Sequence, residues 1–381
     1  MSQLEIADVD MLREFRGSSV RVVFGHGALE HLGELVMQLR ASRVLLVTDA
    51  GIRSAGHVDR ALGFLSQSVI SAQVFEKVVE NPTTATVEAG CAIAQEFQPD
   101  LLVGLGGGSA MDTAKGINFL FSNGGSMADY WGLNKAVKPM LPLVAVPTTT
   151  GTGSEAQSYA LICDAQTNVK MACGDKKALP RMAILDPQLA TTQPARVAAT
   201  AGIDAVAHSI ETAACTKRNP TSRDFSRKAW ELLQASYERI VRHQNDGEAM
   251  ADMLLGAHFA GCAIENSMLG AAHAAANPLT ARFGITHGVA VGVMLPHVVR
   301  FNAQHGENPY ADLMDDAESL ARRIEQMLDA AALPRSLREL DVPEQSLSEL
   351  AAMAATQWTA KFNPRAVGRD EFQKLYETAF G

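Results

Sequence analysis

The chain has 381 residues, with 33 Lys and Arg against 42 Asp and Glu and a formal net charge of −9. That length suits two domains, and the acidic balance argues against nucleic acid or an anionic membrane as the main partner. Five cysteines (Cys91, Cys163, Cys173, Cys215, Cys262) show no metal spacing and suggest free thiols in a reducing cytoplasm, residues 1–18 lack the apolar core of a signal peptide, and no apolar run reaches the ~18–20 residues of a membrane helix.

In chain order, residues 19–24 read as a strand turned by Gly25-His26-Gly27, and residues 29–39 as a helix. Residues 44–49 are an apolar run ending in Asp49, the pattern of a parallel strand buried on both faces. At such a strand end Asp49 can accept hydrogen bonds from a ribose 2′-hydroxyl, or equally cap a turn. Residues 69–75 are the next strand, Glu80-Asn81-Pro82-Thr83 a turn, and residues 84–96 a helix. A buried strand over 99–105 then runs into Gly106-Gly107-Gly108-Ser109, with a helix over 110–119. Glycines there let the backbone approach a pyrophosphate, and the helix N-terminus supplies amide donors. The order Gly104-x-Gly106-x-x-Ser109 departs from the usual dinucleotide fingerprint in its last position, and a tight glycine turn without ligand is the alternative. Residues 143–147 form a short strand leading into Thr148-Thr149-Thr150-Gly151-Thr152, a loop whose hydroxyls and amides suit anions and ribose. Residues 159–163 and 168–172 suggest a hairpin, and a strand over 182–187 closes the region.

After about residue 190 strand-like runs give way to helical periodicity, which divides the chain into an α/β dinucleotide-binding domain over 1–190 and an all-helical domain over 191–381. Thr192-Gln193-Pro194 reads as a helix start with Pro in the first turn. Residues 225–241, 250–266, 287–301, 313–333 and 347–360 read as helices. Asp204 and His208 stand at i and i+4 on an apolar helix, one turn apart on one face, a spacing for two ligands of one divalent metal. His273 and His287 lie 14 residues apart, roughly 21 Å on one straight helix. Sharing an ion requires the chain to turn back between them, and Pro278 and Gly284 can stop and restart helices. Each histidine alone is as readily a packed core residue. One acid and three histidines point further, because a buried unpaired carboxylate is costly and a metal satisfies it. His258 has no partner at ligand spacing and reads as structural.

The pattern Asp204-x-x-x-His208, then His273, then His287-Gly288 resembles the iron-containing (group III) alcohol dehydrogenases. The resemblance extends over nearly the whole chain: the Phe-Gly-x-Gly opening, the Asn81-Pro82-Thr83 loop, Gly106-Gly107-Gly108-Ser109-x-x-Asp112-x-x-Lys115, Pro147-Thr148-Thr149-x-Gly151-Thr152-x-x-Glu155, Leu295-Pro296-His297 and Asn363-Pro364-Arg365. It implies a Rossmann-like, doubly wound and mostly parallel sheet followed by an all-α domain. It implies Asp204, His208, His273 and His287 as metal ligands, for Fe(II) or Zn(II). It further implies Asp49, Asn81, Gly106, Gly107, Gly108, Ser109, Asp112, Thr148, Thr149, Thr152 and Lys170 around the cofactor, with Lys170 near the nicotinamide ribose. Asp49 favours NAD over NADP, since a carboxylate repels a 2′-phosphate. One position departs: Asn277 stands where many members carry a histidine near the nicotinamide, and an amide cannot exchange a proton near neutral pH.

The expected activity is hydride transfer between NAD(H) and a small alcohol and its aldehyde or ketone, the metal stabilising alkoxide charge as a Lewis acid. Asn277 is carried as a candidate of the catalytic site with two readings: metal-bound water or the cofactor ribose hydroxyls carry the proton in place of the histidine, the favoured one, or Asn277 hydrogen-bonds a substrate group. The expected arrangement sets the nicotinamide, bound beyond the carboxyl ends of the strands, against the metal. A homodimer or larger homo-oligomer in the cytoplasm is expected. Two other readings stand beside this one. A metal- and NAD-dependent lyase resembling dehydroquinate synthase needs Lys and Arg around a phosphate-bearing substrate, and no such cluster lies near the ligands. The other is a non-catalytic nucleotide- or metal-binding protein.

Overall fold

The computed structural model describes residues 13–17, 19–167, 169–304 and 308–381. The expectation of no signal peptide falls on residues 1–18 and lies mainly outside them, as does Asn168 of the hairpin. The chain forms two compact units, Met1–Thr149 with Gly153–Gln193, and Thr150–Thr152 with Pro194–Gly381.

The first unit holds every strand among the described residues: β1 (Arg13–Gly17), β2 (Val20–Phe24), β3 (Arg43–Val47), β4 (Ser71–Phe75), β5 (Leu101–Gly106), β6 (Gly132–Leu133), β7 (Leu143–Pro147), β8 (Tyr159–Cys163), β9 (Lys170–Gly174) and β10 (Met182–Leu185). Seven form one sheet in the order β1-β2-β10-β7-β5-β3-β4, parallel except for the antiparallel β1–β2 pair. Side chains alternate across it. Val44 and Leu46 of β3 join one core with Leu101, Val103 and Leu105 of β5, while Leu45 and Val47 join the opposite core with Leu102. The first core is covered by α1 (Leu32–Gln38) and α3 (His57–Gln67), which follows α2 (Ala50–Ser54), and the second by α4 (Thr84–Phe97) and α5 (Gly108–Asn123). Burial on both faces is why these strands read as unbroken apolar runs. The chain order reverses between β3 and β5, so a switch point opens at their carboxyl ends, where α/β sheets bind ligands. β8 and β9 form the expected antiparallel hairpin, with β6 beside β9. A short α6 (Pro187–Ala190) follows β10.

The second unit is helical: α7 (Ala195–Ala214), α8 (Pro220–Arg242), α9 (Gly247–Asn266), α10 (Ala271–Phe283), α11 (His287–Asn302), α12 (Ala317–Ala330), α13 (Leu347–Ala355) and α14 (Arg369–Phe380). Pro194 is the N-cap of α7 rather than part of its first turn. The helix expected over 347–360 ends at Ala355 and resumes as a 3-10 turn over Trp358–Phe362. Pro278 does not stop a helix: α10 runs through it and ends at Gly284, whose φ of 66° is the left-handed cap that glycine adopts freely. Among the described residues no helix is long and apolar enough to cross a membrane.

Candidate metal centre and cofactor loops

Of the four expected ligands, Asp204, His208 and His273 offer atoms all within 4.8 Å of one another, and His287 approaches Asp204 from a third helix. Asp204 and His208 project from the middle of α7, His273 from the first turn of α10, and His287 is the first residue of α11. The Nε2 atoms of His208, His273 and His287 lie 3.6, 3.3 and 3.9 Å from the single atom Asp204 Oδ1. A tetrahedral ion with arms of about 2.1 Å requires ligand separations of roughly 3.4 Å. The His208 and His273 rings stack at 4.9 Å, and those of His273 and His287 lie 5.4 Å apart. Close approach of α11 to α7 makes this possible. A Cβ on Gly288 would lie 1.9 Å from the Thr200 carbonyl oxygen, so only glycine lets the first turn of α11 carry His287 in.

Asp204, His208 and His273 are buried, at 6%, 5% and 3% exposure, while the His287 side chain is half-buried at 29%. Burial pushes His208 down, keeping its ring neutral and able to ligate. Burial would also lower His273, but the Glu211 and Asp204 carboxylates carry it up to about 9. Burial works to raise Asp204, and the three surrounding histidines hold it below the usual carboxylate range. Two buried polar atoms at the centre, Asp204 Oδ1 and His273 Nε2, have no hydrogen-bond partner among the described residues. An orphaned carboxylate oxygen ringed by imidazole nitrogens fits a divalent cation of mixed N/O preference.

Glu211 is the residue sequence reasoning missed. Its Oε2 accepts from His273 Nδ1 at 2.5 Å, and its Oε1 accepts from the Ala272 amide at 2.7 Å. A carboxylate on the far nitrogen of a ligating histidine fixes the tautomer and turns the other nitrogen toward the ion. The signal was its spacing, at i+7 from Asp204 and i+3 from His208 on the same face of α7. The Asn363 side chain accepts from the Ala271 amide at 3.3 Å, so Glu211 and Asn363 together cap the start of α10. At the other end of the chain, Tyr376 of α14 donates to the Ala275 carbonyl at 2.7 Å and steadies the same helix.

In the first unit the glycine loop sits at the switch point. α5 begins at Gly108, two residues before the expected start, so Gly108 and Ser109 form its first turn with Gly107 as N-cap. Gly106 takes φ 147°, and a Cβ there would meet Ala110 Cβ at 2.9 Å and Asp49 Oδ2 at 3.5 Å. Asp49 therefore borders the glycine loop. Its Oδ1 caps α2 by accepting from the Ile52 amide at 3.0 Å, which leaves Oδ2 for a ligand. Thr149 packs over Gly107, where a Cβ would lie 3.4 Å from its methyl carbon, and the Thr148 amide donates to the Gly106 carbonyl at 3.0 Å. Thr148 Oγ1 is buried without a partner among the described residues. Thr152 belongs to the short segment that groups with the helical unit. Asp112 is engaged inside the fold, accepting from Ser154 Oγ at 2.7 Å and from the Leu161 amide at 3.2 Å. Lys170 donates to Asn81 Oδ1 at 2.9 Å, joining two expected cofactor residues.

Asn277 is half-buried one turn along α10 from His273 and donates from Nδ2 to Gln357 Oε1 at 3.0 Å. His258 is fully buried against Cys262 Sγ at 3.5 Å. His297 lines an open groove of about 850 Å³ with Glu325, Asp329 and Arg335, ten residues and roughly 15 Å along α11 from His287.

A glycine loop at the carboxyl ends of parallel strands and a carboxylate ringed by three imidazoles define a class of metal- and nucleotide-using oxidoreductases. The sequence profile of iron-containing alcohol dehydrogenase matches residues 19–187, and that of the Fe-containing alcohol dehydrogenase family C-terminal region matches residues 198–380. The chain belongs to the iron-containing alcohol dehydrogenase family. It is 33% identical over 367 residues to alcohol dehydrogenase 4 of Schizosaccharomyces pombe, covering 94% of this chain and 87% of that protein. It is 31% identical over 373 residues to the NAD-dependent methanol dehydrogenase of Bacillus methanolicus, covering 94% and 97%. A crystal structure of 1,3-propanediol oxidoreductase superposes with a TM-score of 0.91 at 30% identity, covering 97% of this chain and 100% of that one. Membership assigns the chain to the oxidoreductases that move hydride between an alcohol and a carbonyl, rather than to the lyases.

Proposed function

We propose that the protein is an NAD-preferring alcohol dehydrogenase of small alcohols and aldehydes, with one divalent ion, Fe(II) or Zn(II), held by Asp204, His208, His273 and His287. The observation that carries this is the convergence of three Nε2 atoms within 3.9 Å of one buried carboxylate oxygen. When bound, the ion supplies Lewis-acid polarisation of the substrate oxygen, and the nicotinamide supplies or accepts the hydride. The chain's own residues do the rest. Glu211 holds His273 as its Nδ1–H tautomer, leaving the Nε2 lone pair for ligation. Asp204 offsets one positive charge and lowers the net charge of the site. The amides at the start of α5 face the cofactor pyrophosphate. Asp49 Oδ2 accepts from a ribose hydroxyl and repels a 2′-phosphate. The names of the relatives, methanol and 1,3-propanediol enzymes among them, support short alcohols as the substrate class.

The test joins elemental analysis with nicotinamide absorbance. The unmodified protein is expected to hold one divalent ion per chain and to reduce NAD in preference to NADP with short alcohols. His208→Ala is expected to lose the ion and turnover together. Full metal loading in that variant refutes the ligand assignment, and equal use of the two nucleotides refutes the role of Asp49.

A further inference from the structure

We propose that Asn363-Pro364-Arg365 is a clamp that sets the placement of α10 against α11, and so of His273 against His287, with Asn363 and Arg365 acting as positioning residues for the ion. This rests on the metal centre proposed above. α10 opens without a cap of its own, because its N-cap is Gly270. The caps reach it from elsewhere in the chain: Glu211 Oε1 accepts from the Ala272 amide at 2.7 Å, and Asn363 Oδ1 from the Ala271 amide at 3.3 Å. A Cβ on Gly270 would lie 3.1 Å from Asn363 Oδ1 and 3.1 Å from Glu211 Oε1, so both acceptors press on the turn that leads to His273. The same Asn363 is paired with the last residue of α11. Its Nδ2 donates to Asn302 Oδ1 at 2.7 Å, and Asn302 Nδ2 donates back to its Oδ1 at 3.2 Å. Two residues on, Arg365 Nη1 donates to the Phe301 carbonyl at 2.7 Å and to Gln304 Oε1 at 2.6 Å, with the guanidinium 3.9 Å from the centre of the Phe301 ring.

One tripeptide thus holds the N-terminus of the helix that carries His273 and the C-terminus of the helix that begins with His287. A helix N-terminus calls for acceptors and a C-terminus for donors, and a cation at the C-terminus also suits the dipole. Asn363 and Arg365 supply one of each. Pro364 fixes the reach between them, because its own φ is locked and it restricts the residue before it to extended backbone, where Asn363 lies at φ −59° and ψ 140°. Asn363 is buried at 4% exposure, and its Nδ2 also donates to the Arg365 carbonyl at 2.7 Å. Packed helices slide past one another in small steps. Here a slide of α11 along α10 breaks the clamp, and it moves His287 with the rest of its helix. Ligand arms of about 2.1 Å leave little room for such a step.

The test uses the full chain, stripped of metal and reloaded with Co(II). Affinity is measured by competition with a chelator, the visible spectrum of the Co(II) form is recorded, and the urea midpoint of the metal-free form is determined. Asn363→Ala and Arg365→Met are each expected to weaken Co(II) binding roughly two- to fivefold, within the worth of one neutral hydrogen bond, and to shift the visible ligand-field bands. Ser236→Ala is the control. It removes the bond from Ser236 on α8 to Asp252 Oδ2 on α9 at 2.8 Å, and should lower the urea midpoint with affinity and bands unchanged. If Asn363→Ala does not fold, Arg365→Met, at a half-buried position, carries the comparison. Parental affinity or parental bands in both variants leave the tripeptide a structural tie and overturn the clamp alone. Bands that shift as far in Ser236→Ala overturn it as well. An unmodified protein that binds no divalent ion overturns the proposed centre and the clamp with it.

Discussion

Replacing Glu211 with Gln alters one proton-bearing group and almost no volume. In the native site Oε2 accepts from His273 Nδ1 at 2.5 Å while Oε1 accepts from the Ala272 amide at 2.7 Å. A glutamine has one acceptor for these two donors. If its oxygen serves Ala272, its NH2 faces His273 Nδ1, and the ring must move its proton to Nε2, the nitrogen aimed at Asp204. If its oxygen serves His273, two amide N–H groups oppose each other at the start of α10. Each outcome degrades ligation by a side chain that never touches the ion. Loss of such a supporting partner costs about 10–100-fold in metal affinity, or roughly 1.4–2.7 kcal/mol. The assay is equilibrium competition for Fe(II) or Zn(II) between the metal-stripped protein and a chelator of known affinity, with circular dichroism to verify the fold. Asn363→Ala is the control: it removes the cap on Ala271 and should lower stability by about 1–3 kcal/mol with a smaller change in affinity. A folded Glu211→Gln protein that binds metal as tightly as the parent refutes the reasoning.

Two further outcomes follow from packing and burial. Gly288→Ala forces a methyl to within 1.9 Å of the Thr200 carbonyl oxygen, so it should cost about 1–3 kcal/mol or more and draw His287 away; parental metal affinity and urea midpoint would contradict this. His297 has its pKa held down to about 4, first by burial and then by Arg300, against about 6.5 when unfolded. Between those values the unfolded chain binds more protons than the native one. Stability is therefore undiminished above about pH 6.5 and falls toward pH 4, by roughly 2–3 kcal/mol at about 1.4 kcal/mol per unit. His297→Gln should flatten that part of the profile, and parallel urea-midpoint profiles for parent and variant would remove His297 as its source.

What could be read from the sequence was set by how local each feature is. The alternation of β3 and β5 between two cores lies in the strands themselves, so the sheet was legible. The i, i+4 spacing of Asp204 and His208 lies within α7, so that pair of candidates was legible too. The helices α2 and α3 passed unremarked, and β1 and β6 are strands only through their pairing with β2 and β9. Pro278 misled because a proline one turn and more inside a packed helix can be tolerated when neighbouring elements hold it, whereas Gly284 supplies the positive φ that ends α10. Glu211 was in plain view on the ligand face of α7, yet its partner lies 62 residues away. Gln357 stands 80 residues from Asn277, in a stretch that reads as unbroken helix. The glycine after His287 illustrates the limit most clearly. Its presence beside a ligand is visible in one dimension, but its reason is a carbonyl oxygen on another helix. The Asp204–His208 pair of this candidate centre is thus written in short-range pattern, while the groups that aim its histidines are written in contacts between helices.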